Sequence, residues 1–141
     1  MFKNTTKYIA LATIGLGAVL PLTQVHAADN QRQNIVFWHS MTGQNAQAID
    51  RVVNDYNASQ TKYKVIPEFQ GQYVEALPKF LSVGGTSKAP DLFQSNEIST
   101  KQLSTSGMIQ PMQTLIKKYK FNTKNLRKNI LNYYTINGKL Y

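Results

Sequence analysis

An apolar run that stops at a polar loop, just before a helix pattern, is the feature that most constrains the fold. The run covers residues 34–38 and stops at the sequence HSMTG, residues 39–43. Apolar residues then recur at the spacing of a helix with one buried face, at Ala46, Ile49, Val52, Val53 and Tyr56. Strand, short loop and helix form the opening unit of a parallel α/β sheet. Trp38, His39 and Ser40 would then lie at a carboxyl end of that sheet, where ligands bind in open α/β folds.

The rest of the chain continues this alternation of strands and helices. Strands are predicted over residues 34–38, 63–69 and 89–94, and helices over residues 44–59, 73–83, 98–106, 112–119 and 123–131. Pro67 indicates an edge position or a strand end, and Pro78 predicts a kink or restart in the second helix. Ser95 or Asn96 is the expected N-cap of the third helix, and Gly107 its C-cap. The order predicts an α/β class with right-handed crossovers.

The last residues read as a strand, an Asn-Gly turn and a second strand, over residues 133–141. Only three residues follow the turn, which is short for a strand that must pair to be stable. We therefore expect a truncated chain, whose residues 28–141 form part of a larger domain.

The first 27 residues have the pattern of a secretory signal peptide. Lys3 and Lys7 precede an apolar core at residues 8–22, and cleavage is expected after Ala27. The alternative is an uncleaved anchor, but the core is shorter than the ~20 residues that span a bilayer and it contains glycine and proline. We expect export to the periplasm or the extracellular space. The chain has no cysteine, so it has neither disulfides nor a lipid-modified cysteine.

The formal charge of +9 falls to +7 once residues 1–27 are removed, because Lys3 and Lys7 leave with them. Six of the remaining basic residues lie in residues 117–128. This run either attracts nucleic acid or another anionic surface, or is simply a solvated helix face near wall or membrane. The second interpretation is favoured, because neither a pattern of interleaved aromatic residues nor a nucleic-acid motif accompanies the run, and export argues against a nucleic-acid partner.

The usual signatures of enzymes are missing from the sequence. His39 and Ser40 are neighbours on an extended strand and point to opposite faces, and no GxSxG surrounds a serine, so a serine hydrolase is disfavoured. A single histidine beyond residue 27, no cysteine and scattered acids give no metal-ligand cluster. Gly84-Gly85 lacks the following Lys-Ser/Thr of a phosphate-binding loop and is predicted to be a turn. We expect no catalytic activity, no metal and no cofactor.

Polar and aromatic residues follow each of the three predicted strands: Trp38, His39 and Ser40, then Tyr73, then Glu97. Each has an ordinary structural alternative, such as core packing for Trp38 or helix-terminal positions for Tyr73 and Glu97. As a group they are typical of half a cleft for a small polyol or sugar. An aromatic face stacks on carbon, a phenol donates to an oxyanion, and a carboxylate accepts from hydroxyls.

The motifs FWHSM-x-G, YKVIPEFQGQY and AP-D-L-F-Q-x-x-E, read along residues 37–97, resemble the glycerol-3-phosphate-binding proteins. These are exported solute receptors of ABC importers, in the larger maltose-binding-like family. The resemblance covers residues 35–141, about the first third of a family member. It implies a type II periplasmic-binding-protein-like lobe, here incomplete, within a fold of two α/β lobes joined by a hinge.

The resemblance also implies the site and the partners. The family's ligand contacts after the second and third strands match Tyr73 and Glu97, and its other contacts lie beyond Tyr141. The implied ligand is glycerol 3-phosphate or a glycerophosphodiester, captured by hinge closure and delivered to the ABC permease subunits by a monomeric receptor. The alternatives are an oligosaccharide receptor of the same architecture and, less favoured, an exported enzyme or wall-binding module.

Overall fold

The computed structural model describes residues 32–141, so the predicted signal peptide at residues 1–27 lies outside the described residues. The strands are β1 (Gln33–His39), β2 (Tyr63–Phe69), β3 (Leu92–Phe93), β4 (Thr135–Ile136) and β5 (Lys139–Leu140). The α-helices are α1 (Gly43–Ser59), α2 (Tyr73–Val83), α3 (Thr100–Ser106), α4 (Met112–Tyr119) and α5 (Lys128–Tyr133). None of these helices is long and apolar enough to cross a membrane.

A three-stranded parallel sheet in the order β2-β1-β3 organises the described part of the chain. β1 pairs with β2 along its whole length, from Gln33 opposite Tyr63 to His39 opposite Phe69. The predicted strands and their parallel α/β arrangement are therefore confirmed. Pro67 lies on β2, which has a neighbour on one side only in this sheet, as expected for a residue without a backbone N–H.

β3 is shorter than predicted, with two residues instead of the six from 89 to 94. On either side of β3, a side-chain oxygen takes the place of a backbone carbonyl as the acceptor for an N–H group of β1 or of the residue after it. The Asp91 carboxylate accepts from the Val36 N–H at 2.9 Å, and the Gln94 side-chain carbonyl accepts from the Ser40 N–H at 3.1 Å. Side-chain oxygens compete well for backbone N–H groups of a strand. The regular pairing between β1 and β3 is therefore limited to two residues of β3, although neighbouring N–H groups remain hydrogen-bonded.

Helix α1 packs on the sheet differently from the prediction of one continuous apolar face. Val53 is buried, but Val52 is 68% exposed and Tyr56 is 44% exposed. The contact is partly polar instead, since the Asn57 amide donates to the Val65 carbonyl at 2.9 Å and accepts from its N–H at 2.8 Å. These bonds satisfy backbone groups of β2, an edge strand that would otherwise present them to solvent.

Helix α2 runs without a break through Pro78, so the predicted restart at that residue is wrong. Proline removes the N–H that would bond the Val74 carbonyl four residues earlier. Val74 is 81% exposed, so water can reach this turn and satisfy that carbonyl. A capping box between Gln72 and Glu75 closes the start of the helix.

The core lies between α2 and the sheet. The rings of Phe80 and Phe93 stack with their centroids 4.4 Å apart and their planes within 2° of parallel. Within the described residues, the buried apolar side chains are Val53, Ala76, Phe80 and Leu103. The Phe80–Phe93 stack thus joins α2 to β3 and places the loops that follow them.

The segment after α2 follows the prediction in outline. Gly84-Gly85 forms a turn, and Gly107 ends α3 in the left-handed conformation at φ 73°. The predicted third helix begins instead with a 3₁₀ turn at Glu97–Ser99, which continues into α3. Asn96 is its N-cap, as expected.

The predicted helix over residues 123–131 is wrong in its first half, since α5 begins only at Lys128. The Asn122 side-chain amide oxygen (Oδ1) accepts from the Lys124 N–H at 3.0 Å, and the Leu126 N–H donates to the Thr123 backbone carbonyl at 3.0 Å. Local turns of this kind offer the backbone an alternative to a helix.

The predicted hairpin is confirmed at its turn and second strand, but its first strand begins at Thr135 and not at residue 133, because Tyr133 still belongs to α5. β4 and β5 pair antiparallel, with Thr135 opposite Leu140 and Ile136 opposite Lys139. Asn137 and Gly138 both have positive φ, 51° and 73°, which is the type I′ conformation preferred by Asn-Gly.

Candidate functional site

The carboxyl ends of the three parallel strands meet at one edge of the sheet. The Gln70 N–H, just after β2, donates to the His39 carbonyl at 2.9 Å. The Gln94 N–H, just after β3, donates to the Trp38 carbonyl at 2.8 Å. These bonds hold the following loops against the end of β1, which is the placement predicted from the sequence.

His39 is part of the packing at this edge and not an exposed group. It is 6% exposed, and its ring lies between those of Phe37 and Phe69, with centroid distances of 5.8 and 5.9 Å. Its Nδ1 accepts from the Met41 N–H at 3.3 Å. These contacts identify His39 as a residue that shapes the loop after β1.

Trp38 is half-buried, and its indole is tied to the neighbouring strand. The indole Nε1 donates to the Glu68 carboxylate at 2.9 Å, and the same oxygen accepts from the Gln70 amide at 3.4 Å. Trp38 and Glu68 are also partners in the β1–β2 register. The polar edge of the indole is therefore occupied within the protein.

Tyr73 is the first residue of α2, and its position depends on the Gly71-Gln72 turn before it. Gly71 has φ 90°, and a Cβ there would overlap the Glu75 carboxylate. That carboxylate accepts from the Gln72 N–H at 2.7 Å. Glycine is therefore required for the turn that precedes Tyr73.

Glu97 begins the 3₁₀ turn after β3 and is exposed. The Asn96 side chain fixes the turn by accepting from the Ser99 N–H at 3.3 Å and the Ser99 hydroxyl at 2.8 Å. Ser99 is buried, so this pair anchors the turn while its first carboxylate stays open to solvent.

Tyr73, Glu97 and Tyr134 form an electrostatic cluster. Burial of its ring raises the pKa of the Tyr73 phenol, and the Glu97 carboxylate and the Tyr134 phenol add to this increase. The structure therefore brings together the two residues that the sequence singled out. Tyr134, which precedes the C-terminal hairpin, was not predicted as a site residue. In the sequence it is only one of two adjacent tyrosines, and the structure distinguishes them: Tyr133 is exposed and Tyr134 is half-buried.

A groove of about 520 Å³ runs beside β3 toward the C-terminal hairpin. Ser95, Asn96 and Tyr134 contribute polar atoms to its lining, among many apolar side chains. Tyr73 and Glu97 are not among the lining residues, so the groove adjoins the cluster without containing it.

No protein-family model matches the sequence. It is 30% identical over 138 residues to the sn-glycerol-3-phosphate-binding periplasmic protein UgpB of Yersinia pestis bv. Antiqua (strain Antiqua), covering 96% of this chain and 30% of that protein. It is 31% identical over 104 residues to the protein of the same name from Agrobacterium fabrum, covering 72% of this chain and 24% of that one. The predicted resemblance to glycerol-3-phosphate-binding proteins is confirmed, over less than a third of the relatives' length.

Two solved structures share the fold. The cyclic α-maltosyl-1,6-maltose binding protein from Arthrobacter globiformis has a TM-score of 0.66 at 22% identity, over 77% of this chain and 27% of its own. The galacto-N-biose/lacto-N-biose I-binding protein of an ABC transporter from Bifidobacterium longum has a TM-score of 0.65 at 19% identity, over 80% and 28%. The chain has part of the solute-binding-protein fold.

Within this part of a solute-binding-protein fold, the cluster offers one hydrogen-bond donor and one acceptor. A phenol with a raised pKa stays protonated at neutral pH and donates a hydrogen bond. The Glu97 carboxylate is an acceptor. Residues 32–141 contain no group of three or more histidines, cysteines or acids placed to hold a metal ion.

Ser40 adds one polar atom that is buried at the same edge of the solute-binding-protein fold. The residue is 4% exposed, and its hydroxyl oxygen has no hydrogen-bond partner in the structure. Its backbone N–H is bonded to Gln94, so the side chain alone is unsatisfied. A buried hydroxyl without a partner costs about 1–3 kcal/mol.

Proposed function

We propose that this chain supplies one wall of the solute site in an exported receptor of an ABC importer. The observation that carries the proposal is the Tyr73–Glu97 pair at the carboxyl ends of parallel strands, where ligands bind in open α/β sheets. The names of the Yersinia and Agrobacterium relatives support glycerol 3-phosphate as the ligand. Glycerophosphodiesters, which share the glycerol phosphate unit, belong to the same proposal.

The two side chains have different parts in this proposal. Tyr73 donates its phenol proton to a phosphate oxygen, and Glu97 accepts from the glycerol hydroxyls. A carboxylate repels an anion, so the phosphate lies at the Tyr73 end and the hydroxyls at the Glu97 end. A phenol is already a donor at neutral pH, and burial and then Glu97 raise the pKa of Tyr73 further above its ordinary value.

The receptor acts by binding alone. A second lobe would close over the solute by a hinge motion, and the closed form would deliver it to the permease subunits in the membrane. The relatives carry the word periplasmic in their names, which supports an exported location. We propose a monomeric receptor without enzymatic activity.

A sugar or oligosaccharide is the second candidate ligand. Two solved structures with this fold are named for binding cyclic α-maltosyl-1,6-maltose and galacto-N-biose/lacto-N-biose I. Half-buried Trp38 offers an aromatic face of the kind that stacks on a sugar ring, although its N–H is already bonded to Glu68.

The test is calorimetric titration of the whole receptor that contains this chain with glycerol 3-phosphate, glycerophosphocholine and maltose. The variants are Tyr73→Phe and Glu97→Gln, and the matched controls are Tyr56→Phe and Asp55→Asn on the exposed part of α1. We expect each site variant to weaken glycerol 3-phosphate binding by about tenfold, since a hydrogen bond to a charged group contributes about 1.5–3 kcal/mol. The controls should bind as the parent protein does.

Two outcomes would overturn the proposal in different ways. Tight maltose binding without glycerol 3-phosphate binding would replace the ligand and keep the receptor. Unchanged affinity in both site variants would remove Tyr73 and Glu97 from the site. Residues 28–141 alone, with one wall of the cleft, should show no micromolar binding to any of the three ligands.

A further inference from the structure

The charges of this chain are divided unevenly along the sequence. Residues 32–97 contain six basic and six acidic residues and are formally neutral. Residues 98–141 contain eight basic residues and no acidic residue. The net positive charge of the described part is therefore confined to the segment that contains α3, α4, α5 and the hairpin.

Six of these eight cations lie close together in the chain, and all six are exposed. We call them the basic surface; they are Lys117, Lys118, Lys120, Lys124, Arg127 and Lys128. The structure holds them on the last turn of α4, the turns that follow, and the start of α5. Because the segment contains no acid, no cation here is neutralised by a neighbour in sequence.

The arrangement around α5 is unfavourable for local stability. Arg127 is the N-cap of this helix and Lys128 its first residue. The N-terminus of a helix carries partial positive charge, so acids and not cations are the stabilising residues there. Local stability therefore does not account for these two cations.

The expectation that no aromatic residues are interleaved with these cations is wrong at the start of the run, where two exposed rings lie among the lysines. Tyr119 is 68% exposed and Phe121 62% exposed, and they flank Lys120 in the sequence. The Lys118 ammonium lies 5.1 Å from the centre of the Tyr119 ring. Basic residues interleaved with exposed aromatic residues are typical of surfaces that contact a bilayer, where rings enter the headgroup region.

We propose that the basic surface is a docking site for an anionic phospholipid bilayer. The cations contact the headgroup phosphates, and Tyr119 and Phe121 insert at the level of the headgroups. Charge complementarity selects an anionic partner, and the two exposed rings favour a lipid surface over an acidic protein or nucleic acid. Only the location beside a bilayer rests on the proposed receptor function; the surface itself is separate from the Tyr73–Glu97 cluster.

The test is sedimentation of the protein in its exported form with vesicles of phosphatidylcholine alone or with added phosphatidylglycerol. The variant K120Q/K124Q/K128Q removes three cations of the basic surface, and K62Q/K88Q/K101Q removes three exposed lysines elsewhere. Each basic residue near an anionic leaflet contributes about 1 kcal/mol, or about fivefold in binding. We expect the first variant to lose at least about tenfold in binding to phosphatidylglycerol vesicles, and the second to lose much less.

Vesicle binding is also measured at different salt concentrations, with Tyr119 substituted, and in the presence of a polyanionic competitor. Binding should fall when salt is raised from about 0.1 M to about 1 M, since the screening length shrinks about threefold. Tyr119→Ser should weaken binding at constant charge. Equal losses in the two lysine variants, or binding unaffected by phosphatidylglycerol, would overturn the proposal. Displacement of the protein from vesicles by polyglutamate or by DNA at equal charge concentration, with Tyr119→Ser unchanged, would show a general polyanion site and overturn the lipid assignment.

Glycerol 3-phosphate binding separates this proposal from the proposed function. K120Q/K124Q/K128Q should leave the affinity of the whole receptor for glycerol 3-phosphate unchanged while reducing vesicle binding. Failure of vesicle binding with intact solute binding would overturn the docking site alone.

Discussion

Tyr73 and Glu97 are electrostatic neighbours: after burial of the ring, the Glu97 carboxylate is the next cause that raises the pKa of the Tyr73 phenol. The two residues follow different strands, and the parallel order β2-β1-β3 brings the ends of those strands to one edge. Their proximity has a consequence that can be measured without any ligand.

The ordinary pKa of a tyrosine phenol is about 10, and Tyr73 should ionise at a higher pH than this. Because the folded-state pKa is raised, the folded protein keeps its proton where the unfolded chain loses it, so the free energy of unfolding falls as pH rises through this range. Tyr73→Phe should make that fall shallower. NMR titration of ¹³C-labelled tyrosine measures the pKa of Tyr73 in the parent protein and in Glu97→Gln, where we expect a lower pKa. An unchanged pKa in Glu97→Gln would show that Glu97 does not contribute to the increase.

Asp91→Ala should destabilise the fold by about 0.5–1.5 kcal/mol, since the exposed Val36 N–H of the central strand exchanges its side-chain acceptor for water. Asp91→Asn keeps an acceptor oxygen at the same position and should cost much less. Urea unfolding followed by circular dichroism measures both. Equal losses would mean that charge, and not the hydrogen bond, is what Asp91 contributes.

Glu68→Ala should release the Trp38 indole from its 2.9 Å hydrogen bond. We expect a loss of stability of about 1 kcal/mol and a shift of the emission of Trp38, the single tryptophan of the chain. Fluorescence spectra of folded Glu68→Ala and of Asp55→Ala, an exposed acid on α1, provide the comparison. An identical emission maximum in parent and Glu68→Ala would show that the bond does not form in solution.

Ser40→Ala removes the buried hydroxyl that has no partner. The free energy of unfolding should stay unchanged or rise by about 1 kcal/mol, because an unsatisfied polar atom leaves the interior. Ser40→Thr, which adds a methyl group at the same place, should destabilise by about 1–3 kcal/mol through overpacking. Loss of stability in Ser40→Ala would instead reveal an ordered water or another partner for the hydroxyl.

Gly84→Ala should destabilise because a Cβ at this position would lie 2.5 Å from the Met108 sulfur. Because Met108 is flexible and 37% exposed, its sulfur can move aside, so the loss should lie near the lower end of the about 1–3 kcal/mol that overpacking costs. The double variant Gly84→Ala/Met108→Ala should recover most of the loss, since the clashing side chain is removed. Thermal unfolding of the single and double variants gives the interaction free energy between positions 84 and 108. Strictly additive effects would mean that the two side chains do not contact each other.

Helices and strands with a clear hydrophobic period have nearly the bounds that the sequence predicts. The bounds of β2, α2 and α4 were predicted as observed, and so was the Asn-Gly turn of the hairpin. Errors occurred where side chains compete with the backbone for hydrogen bonds, as at Asp91 in β3 and Asn122 before α5. Sequence spacing does not reveal which of those partners a backbone group will choose.

The sequence by itself determined the strand and helix order and the parallel sheet, because hydrophobic period is a local property. Strand-end position gave five candidate residues, and the resemblance to glycerol-3-phosphate-binding proteins narrowed them to Tyr73 and Glu97. Only the tertiary structure decided which neighbours those residues have. It placed Tyr134 beside Tyr73, tied Trp38 to Glu68, and buried His39 and Ser40 in the packing. Such contacts join residues far apart in sequence, and they are fixed by packing between elements, which no local pattern records.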